Sequence, residues 1–120
     1  MKNILNRFIV LSALLTGLLT SAHADVEVFK SIKGGLTEVD AGETFTYSLQ
    51  YRAASTTTDF FNATLTDDLP AGLEFVGLVG TVHTDSFTHN NGLVTVNFID
   101  PLPAGSTGDI ELKVRFSKGT

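Results

Sequence analysis

An all-β sandwich is the fold class this sequence predicts, and three observations carry the prediction. No stretch after residue 25 shows a 3.6-residue hydrophobic period. Residues 44–51 and 109–116 alternate apolar and polar side chains without a break, the pattern of a strand with one buried face. The tetrad Leu-Pro-Ala-Gly occurs twice, as Leu69-Pro70-Ala71-Gly72 and Leu102-Pro103-Ala104-Gly105, each time between stretches of alternation. Each copy therefore reads as a turn joining strands.

In residues 44–51, Phe45, Tyr47, Leu49 and Tyr51 point one way and Thr44, Thr46, Ser48 and Gln50 the other. Residues 109–116 place Ile110, Leu112, Val114 and Phe116 inward, with Asp109, Glu111, Lys113 and Arg115 outward; the mixed charges on that outer face discourage pairing with other chains. Further strands are predicted over residues 26–32, 60–67, 73–78 and 93–99, and a weaker one over 81–88. Gly34-Gly35 and Asn91-Gly92 supply positive φ between them, while Pro70 and Pro103 pre-set φ at a turn value. The segment 53–59, with Ser55 and three threonines, is an inter-strand loop. About seven short strands with turn signals at this spacing point to an immunoglobulin-like Greek-key β-sandwich.

The N-terminus predicts the compartment. Lys2 and Arg7 precede an almost wholly apolar run over residues 8–19, and Ala22-His23-Ala24 is a small-x-small cleavage pattern. Residues 1–24 are thus expected to be a Sec signal peptide cleaved after Ala24, leaving residues 25–120 as one small exported domain. The apolar run falls short of the roughly 20 residues that span a bilayer as a helix, so no integral membrane segment is expected after cleavage. The layout resembles that of a Gram-negative export signal, which places the product in the periplasm, at the cell surface or outside the cell. The chain carries a formal net charge of −5, and cleavage would remove two cations, so nucleic acid is not an expected partner. Export permits disulfides, yet there is no cysteine.

In this order the elements match a known family. A first strand with Lys30, then Val39-Asp40-Ala41-Gly42-Glu43-Thr44-Phe45-Thr46-Tyr47, then Thr66-Asp67-Asp68-Leu69-Pro70-Ala71-Gly72-Leu73-Glu74-Phe75-Val76, then Pro101-Leu102-Pro103-Ala104-Gly105-Ser106, resembles the bacterial DUF11 repeat. The resemblance covers residues 26–116. It implies an immunoglobulin-like module of exported and cell-surface proteins, structural or adhesive and without enzymatic activity, often in tandem with neighbouring domains. Ala53-Ala54 stand where the family usually has an asparagine-glycine turn, and such modules usually continue past a point equivalent to Thr120.

Catalysis is not expected. Beyond the leader the histidines are His83 and His89, no serine sits in a nucleophile-elbow context, and Ser86 between the two histidines is an accident of composition. Two histidines are too few for a zinc site, and no cofactor is expected. Aspartates cluster at predicted strand ends, which makes Asp67, Asp68 and Asp100 candidate calcium ligands, with Asp59, Asp85 and Asp109 at similar positions. The simpler reading of Asp67 and Asp68 is that they hydrogen-bond the backbone of the turn they precede. Lys30 shares a face with Val26, Val28 and Ile32, so alternation turns it inward, and the simpler reading is that it snorkels at an edge of the core. Surface modules of similar architecture, in pilins and adhesins, join such a lysine to asparagine or aspartate through an isopeptide bond. Here Asn97 is the candidate partner, with Glu74 or Asp67 as the assisting acid. Leu102-Pro103-Ala104-Gly105-Ser106 lacks the pattern of a sortase signal, and Asn62-Ala63-Thr64 matches the N-glycosylation pattern within a predicted strand. A glycan- or calcium-binding sandwich is the alternative function; of the adjacent rings Phe60 and Phe61, one is expected to face outward. An open strand edge is a further candidate surface, for self-association.

Overall fold

The computed structural model describes residues 8–10, 18–21, 26–53 and 57–118. The strands are β1 (Phe8–Val10), β2 (Leu18–Ser21), β3 (Val26–Ile32), β4 (Glu38–Asp40), β5 (Thr44–Ala53), β6 (Thr64–Asp68), β7 (Leu73–Val79), β8 (Thr84–Asn90), β9 (Leu93–Phe98) and β10 (Thr107–Phe116). Two four-stranded antiparallel sheets, in the orders β3-β5-β10-β7 and β2-β6-β9-β8, face each other as a β-sandwich, and β1 pairs with β4 in a small third sheet. All-β architecture is what the alternation predicted.

Alternation builds the core as expected. From β5, Phe45, Tyr47, Leu49, Tyr51 and Ala53 are buried; from β10, Ile110, Leu112 and Val114. The second sheet answers with Leu65 of β6 and Val94, Val96 and Phe98 of β9. β5 and β10 are the central strands of the first sheet, paired from Arg52↔Thr107 to Thr44↔Arg115. Burying each such side chain contributes about 1.5–3 kcal/mol, so this ladder and its facing strands supply most of the hydrophobic drive.

The two Leu-Pro-Ala-Gly tetrads form the same turn. In the first, Leu73 N–H donates to the Pro70 carbonyl at 3.1 Å; in the second, Ser106 N–H donates to the Pro103 carbonyl at 3.1 Å. Gly72 and Gly105 hold φ of 88° and 75°, a left-handed conformation open to glycine at little cost. Both leucines, Leu69 and Leu102, are buried, so each tetrad anchors its corner to the core.

Three expectations need adjustment. The strand expected over residues 60–67 begins only at Thr64, because Asn62 adopts φ of 56° and breaks the extended run; Phe60 instead makes an isolated bridge to Leu102. The weak strand expected over 81–88 lies at Thr84–Asn90, since residues 81–84 form a hydrogen-bonded turn first. Two strands, β1 and β2, lie within the segment expected to be the leader, β2 pairing with the outer edge of β6. A sheet edge offers unpaired backbone groups to any extended apolar segment within reach. The expected cleavage position after Ala24 lies outside the described residues.

Tyr51 crosses Gly108, its register partner on β10. A Cβ added at residue 108 would stand 2.3–2.7 Å from the Tyr51 hydroxyl and ring atoms. The ring cannot swing away freely: its hydroxyl bonds Thr81 Oγ1 at 2.5 Å and His83 Nδ1 at 2.8 Å, and Phe98 packs edge-on at 4.9 Å. Gly108→Ala is therefore expected to lower the unfolding free energy by about 1–3 kcal/mol, the usual cost of overpacking. Urea denaturation checks this; an unchanged midpoint would show that Tyr51 relaxes without loss.

Candidate functional site: a buried lysine–aspartate pair between the sheets

Lys30 lies on β3, in register with Leu49 of β5, and its place in the alternation turns it inward, where it is buried and does not snorkel at an edge of the core. Asp67 lies on β6 of the other sheet, in register with Val94 of β9. Each is the ionisable member of an otherwise apolar inward row, and the two meet across the sandwich. Lys30 Nζ donates to Asp67 Oδ1 at 3.1 Å and stands 3.0 Å from Oδ2, with side-chain exposures of 4% and 0%. Oδ2 is held by charge alone, for it accepts no hydrogen bond. The Tyr47 ring covers the ammonium from 4.2 Å, a cation–π contact that also keeps water away.

Magnitudes define the character of this pair. Unit charges 3 Å apart attract by roughly 5 kcal/mol at an effective dielectric of about 20, while the loss of hydration costs several kcal/mol per ion. Burial pushes the Asp67 carboxyl above its usual range, and Lys30 offsets this only in part. Burial, and secondarily the Asp67 charge, pushes the Tyr47 phenol up to about 12. Desolvation thus outweighs attraction at the carboxylate. The pair is a site under electrostatic tension and contributes little net stability.

The structure distributes the other predicted residues elsewhere. Asn97 is not beside Lys30: Val94, Val96 and Phe98 take the inward positions of β9, which turns Asn97 to the outer face, where its amide donates to Ser86 Oγ at 3.1 Å. Glu74 is not beside it either. It is exposed on β7, between inward Leu73 and Phe75, and accepts from Arg115 Nε and Ser117 Oγ, each at 2.9 Å. Asp67 does not brace the turn that follows it, because its place in the β6 alternation buries it.

The calcium candidates do not converge. Asp67 faces Lys30, and Asp68 is exposed at the far end of β6. Asp100 lies beyond the opposite end of that strand, which is about 13 Å long at 3.3 Å per residue, and there it accepts the Asn62 N–H at 3.1 Å. Asp59 accepts the Ala104 N–H at 2.9 Å, bracing the second tetrad, and Asp109 accepts from Ser48 Oγ at 2.5 Å. Among the described residues no group of three or more histidine, aspartate or glutamate side chains is placed to hold a metal ion.

His83 bonds Tyr51, whereas His89 stacks on Phe75 at 4.7 Å and accepts the Gly92 N–H at 3.1 Å. His83 lies in the turn before β8 and His89 near the far end of that strand, about 16 Å along it at 3.3 Å per residue. Among the described residues no helix is long and apolar enough to cross a membrane.

One surface feature escaped the sequence reading. Phe60 is buried and Phe61 exposed, as expected of that pair, but among the described residues the ring most exposed on a sheet face is Phe29, at 64%. It lines a shallow open depression on the first sheet with Glu27, Gln50, Arg52, Thr107 and Asp109. The signal was present: an inward Lys30 requires an outward Phe29. Elsewhere on the outer faces, charges pair across neighbouring strands, Arg52 with Glu27 and Arg115 with Glu74, and Lys33 pairs with Glu111.

Comparison of this chain with protein-family models, with curated proteins and with solved structures finds no match.

Removing one partner of the buried pair strands the other, so Lys30→Ala is expected to cost about 3–5 kcal/mol in urea unfolding. A loss under about 1 kcal/mol would show that water reaches Asp67 readily. At the surface, the hydrogen bond from Lys33 holds the Glu111 carboxyl below its ordinary range. The stabilisation this provides is present above the unfolded-state pKa and is lost as pH falls through the depressed folded value. Lys33→Ala is expected to return Glu111 to an ordinary titration curve, read by carboxyl NMR; an unmoved curve would refute the pairing.

Proposed function

We propose that the chain is an exported, non-enzymatic structural module of the DUF11 kind, serving as a spacer, adhesive or assembly element on or outside a bacterial cell. The observation that carries this reading is the use the fold makes of its polar chemistry: the buried ion pair ties sheet to sheet, and exposed charges pair across strands. Titratable groups spent in this way support rigidity.

In this reading the sandwich is an immunoglobulin-like Greek key of a variant order. The seven sandwich strands after residue 25, with β4 set aside, run first-second-seventh-fourth in one sheet and third-sixth-fifth in the other. The constant-type immunoglobulin arrangement puts the fifth strand in the first sheet and the seventh in the second. The likeness is therefore one of layers and crossovers. Removal of residues 1–24 on export takes away β2 and opens the outer edge of β6, which is where strand-edge self-association or pairing with a neighbouring domain is focused.

Expression of the full chain in a Gram-negative host, with fractionation and N-terminal sequencing, tests the export half. The mature protein is expected outside the cytoplasm with Asp25 at its N-terminus; an unprocessed cytoplasmic product would sink it. A second reading, glycan binding, is favoured by the Phe29 depression, where an exposed ring is flanked by hydrogen-bonding side chains. Signals on a glycan array that vanish in Phe29→Ala would replace the spacer reading with this one.

A further inference from the structure

We propose that the outer edge of β6, once β2 is removed, pairs with the same edge of a second copy of this chain, antiparallel and about a two-fold axis at Thr66. This deepens the strand-edge reading given above and rests on it for the release of β2.

The backbone of β6 divides its hydrogen bonds between two sides. Ala63 O accepts from Phe98 N–H at 3.1 Å, and Leu69 N–H donates to Gly92 O at 2.8 Å, so the odd-numbered residues of this run turn their backbone groups to β9. Thr64, Thr66 and Asp68 therefore turn theirs to the outer edge, where β2 lies in this structure. The register of β6 on β9 is unbroken from Thr64 to Asp68. The edge strands β7 and β8 are different: their pairings shift register at Lys113/Val114 and at Thr84/Ser86, and such irregularities blunt an edge.

What occupies the β6 edge shows which strand fits it. β2 runs antiparallel, with Leu19 opposite Asp67 and Thr20 opposite Thr66. The same dipeptide recurs in β6 itself as Leu65-Thr66. A second β6 laid in the register of β2 puts Thr66 opposite Thr66 and its own Leu65 opposite Asp67. The reciprocal pair, Leu65 opposite Asp67 of the second copy, follows from the same alignment. One register thus serves both chains, which is the self-complementarity that a two-fold dimer requires. The neighbouring registers that keep inward residues facing inward are poorer. Centring on Asp67 opposes two carboxylates, and centring on Leu65 carries the ladder into Asn62, whose φ of 56° ends the strand.

In the dimer the two Thr66 residues exchange backbone hydrogen bonds, and Thr64 does the same with Asp68 of the second copy. Leu65 and Asp67 fall in the closer, non-hydrogen-bonded type of pair, so each carboxylate of the buried ion pair gains an apolar neighbour. The joined sheet runs β8-β9-β6 from one chain into β6-β9-β8 of the other. Strand addition of this kind draws its affinity from the main chain, and so short a contact gives a reversible dimer.

Sedimentation over a concentration series tests the proposal. The processed protein, isolated after expression of the full chain, is expected to pass reversibly from monomer to dimer. Thr66→Pro deletes an N–H that the β9 ladder does not use, so it is expected to keep the thermal transition and to stay monomeric throughout. Thr66→Glu sets two carboxylates face to face on the outer surface and is expected to weaken association roughly fivefold, less at high salt; it decides the matter if the proline variant does not fold. A wild-type protein monomeric up to millimolar concentration overturns the proposal, as does a dimer that neither variant weakens. In the unprocessed chain β2 fills the edge, and a monomer is expected. There Thr20→Pro removes the β2 N–H that faces Thr66 and is expected to restore dimerisation. A monomeric Thr20→Pro chain also overturns the proposal, and this arm holds whether or not the leader is cleaved on export, so the two readings can fail separately.

Discussion

The structure depends on the β5–β10 ladder. These two long strands lie at the centre of the first sheet, and their two-residue alternation sends every other side chain into the sandwich. A slip of one residue would turn Phe45, Tyr47, Leu49, Ile110, Leu112 and Val114 out to water, so burial enforces the register. The remaining strands inherit their facing from it. β3 pairs along β5 with Lys30 opposite Leu49, a buried position, and Lys30 must therefore enter the core. β7 pairs along β10 with Glu74 opposite Arg115, an exposed position, and Glu74 must stay outside.

A charge brought inside by such a constraint needs a partner, and the second sheet supplies Asp67. The surface pairs of the same molecule make an instructive contrast. Lys33 with Glu111 and Arg115 with Glu74 lie in high dielectric, where hydrogen bonding lowers both carboxyl pKa values and the energy at stake is small and screened by salt. At Asp67 the same kind of contact sits in a dry core, burial dominates, and the carboxyl moves the other way. Arg115–Glu74 and Lys30–Asp67 have similar separations, 2.9 and 3.0 Å, so the opposite directions follow from the difference in solvation.

Corners complete the framework. The twin tetrads combine a proline with a following glycine at positive φ, and each adds a buried leucine. Asp59 supports one corner through the Ala104 N–H, and the Tyr51 hydroxyl anchors the turn between β7 and β8 through Thr81 and His83. Side chains that could suggest chemistry in isolation, a histidine or a strand-end aspartate, are in these places hydrogen-bonded parts of the scaffold.

Everything with a local period was legible in the sequence: the all-β class, the inward faces of β5 and β10, the turn role of both tetrads and the inward turn of Lys30. Those follow from steric rules acting over two to four neighbouring residues. The start of β6 was not legible, because a single left-handed residue, Asn62, overrides the alternation around it. Nor was the partner of Lys30. Asp67, Glu74 and Asn97 are all polar residues within strands, and choosing among them requires knowing which face of each strand is inward and how the sheets stack. That information exists only once strands far apart in sequence are packed together. The sequence by itself determined that Lys30 shares the inward face of its strand; only the tertiary structure decided that it is buried and that Asp67 meets it, because contact across a sandwich is set by the packing of two sheets and has no counterpart in local periodicity.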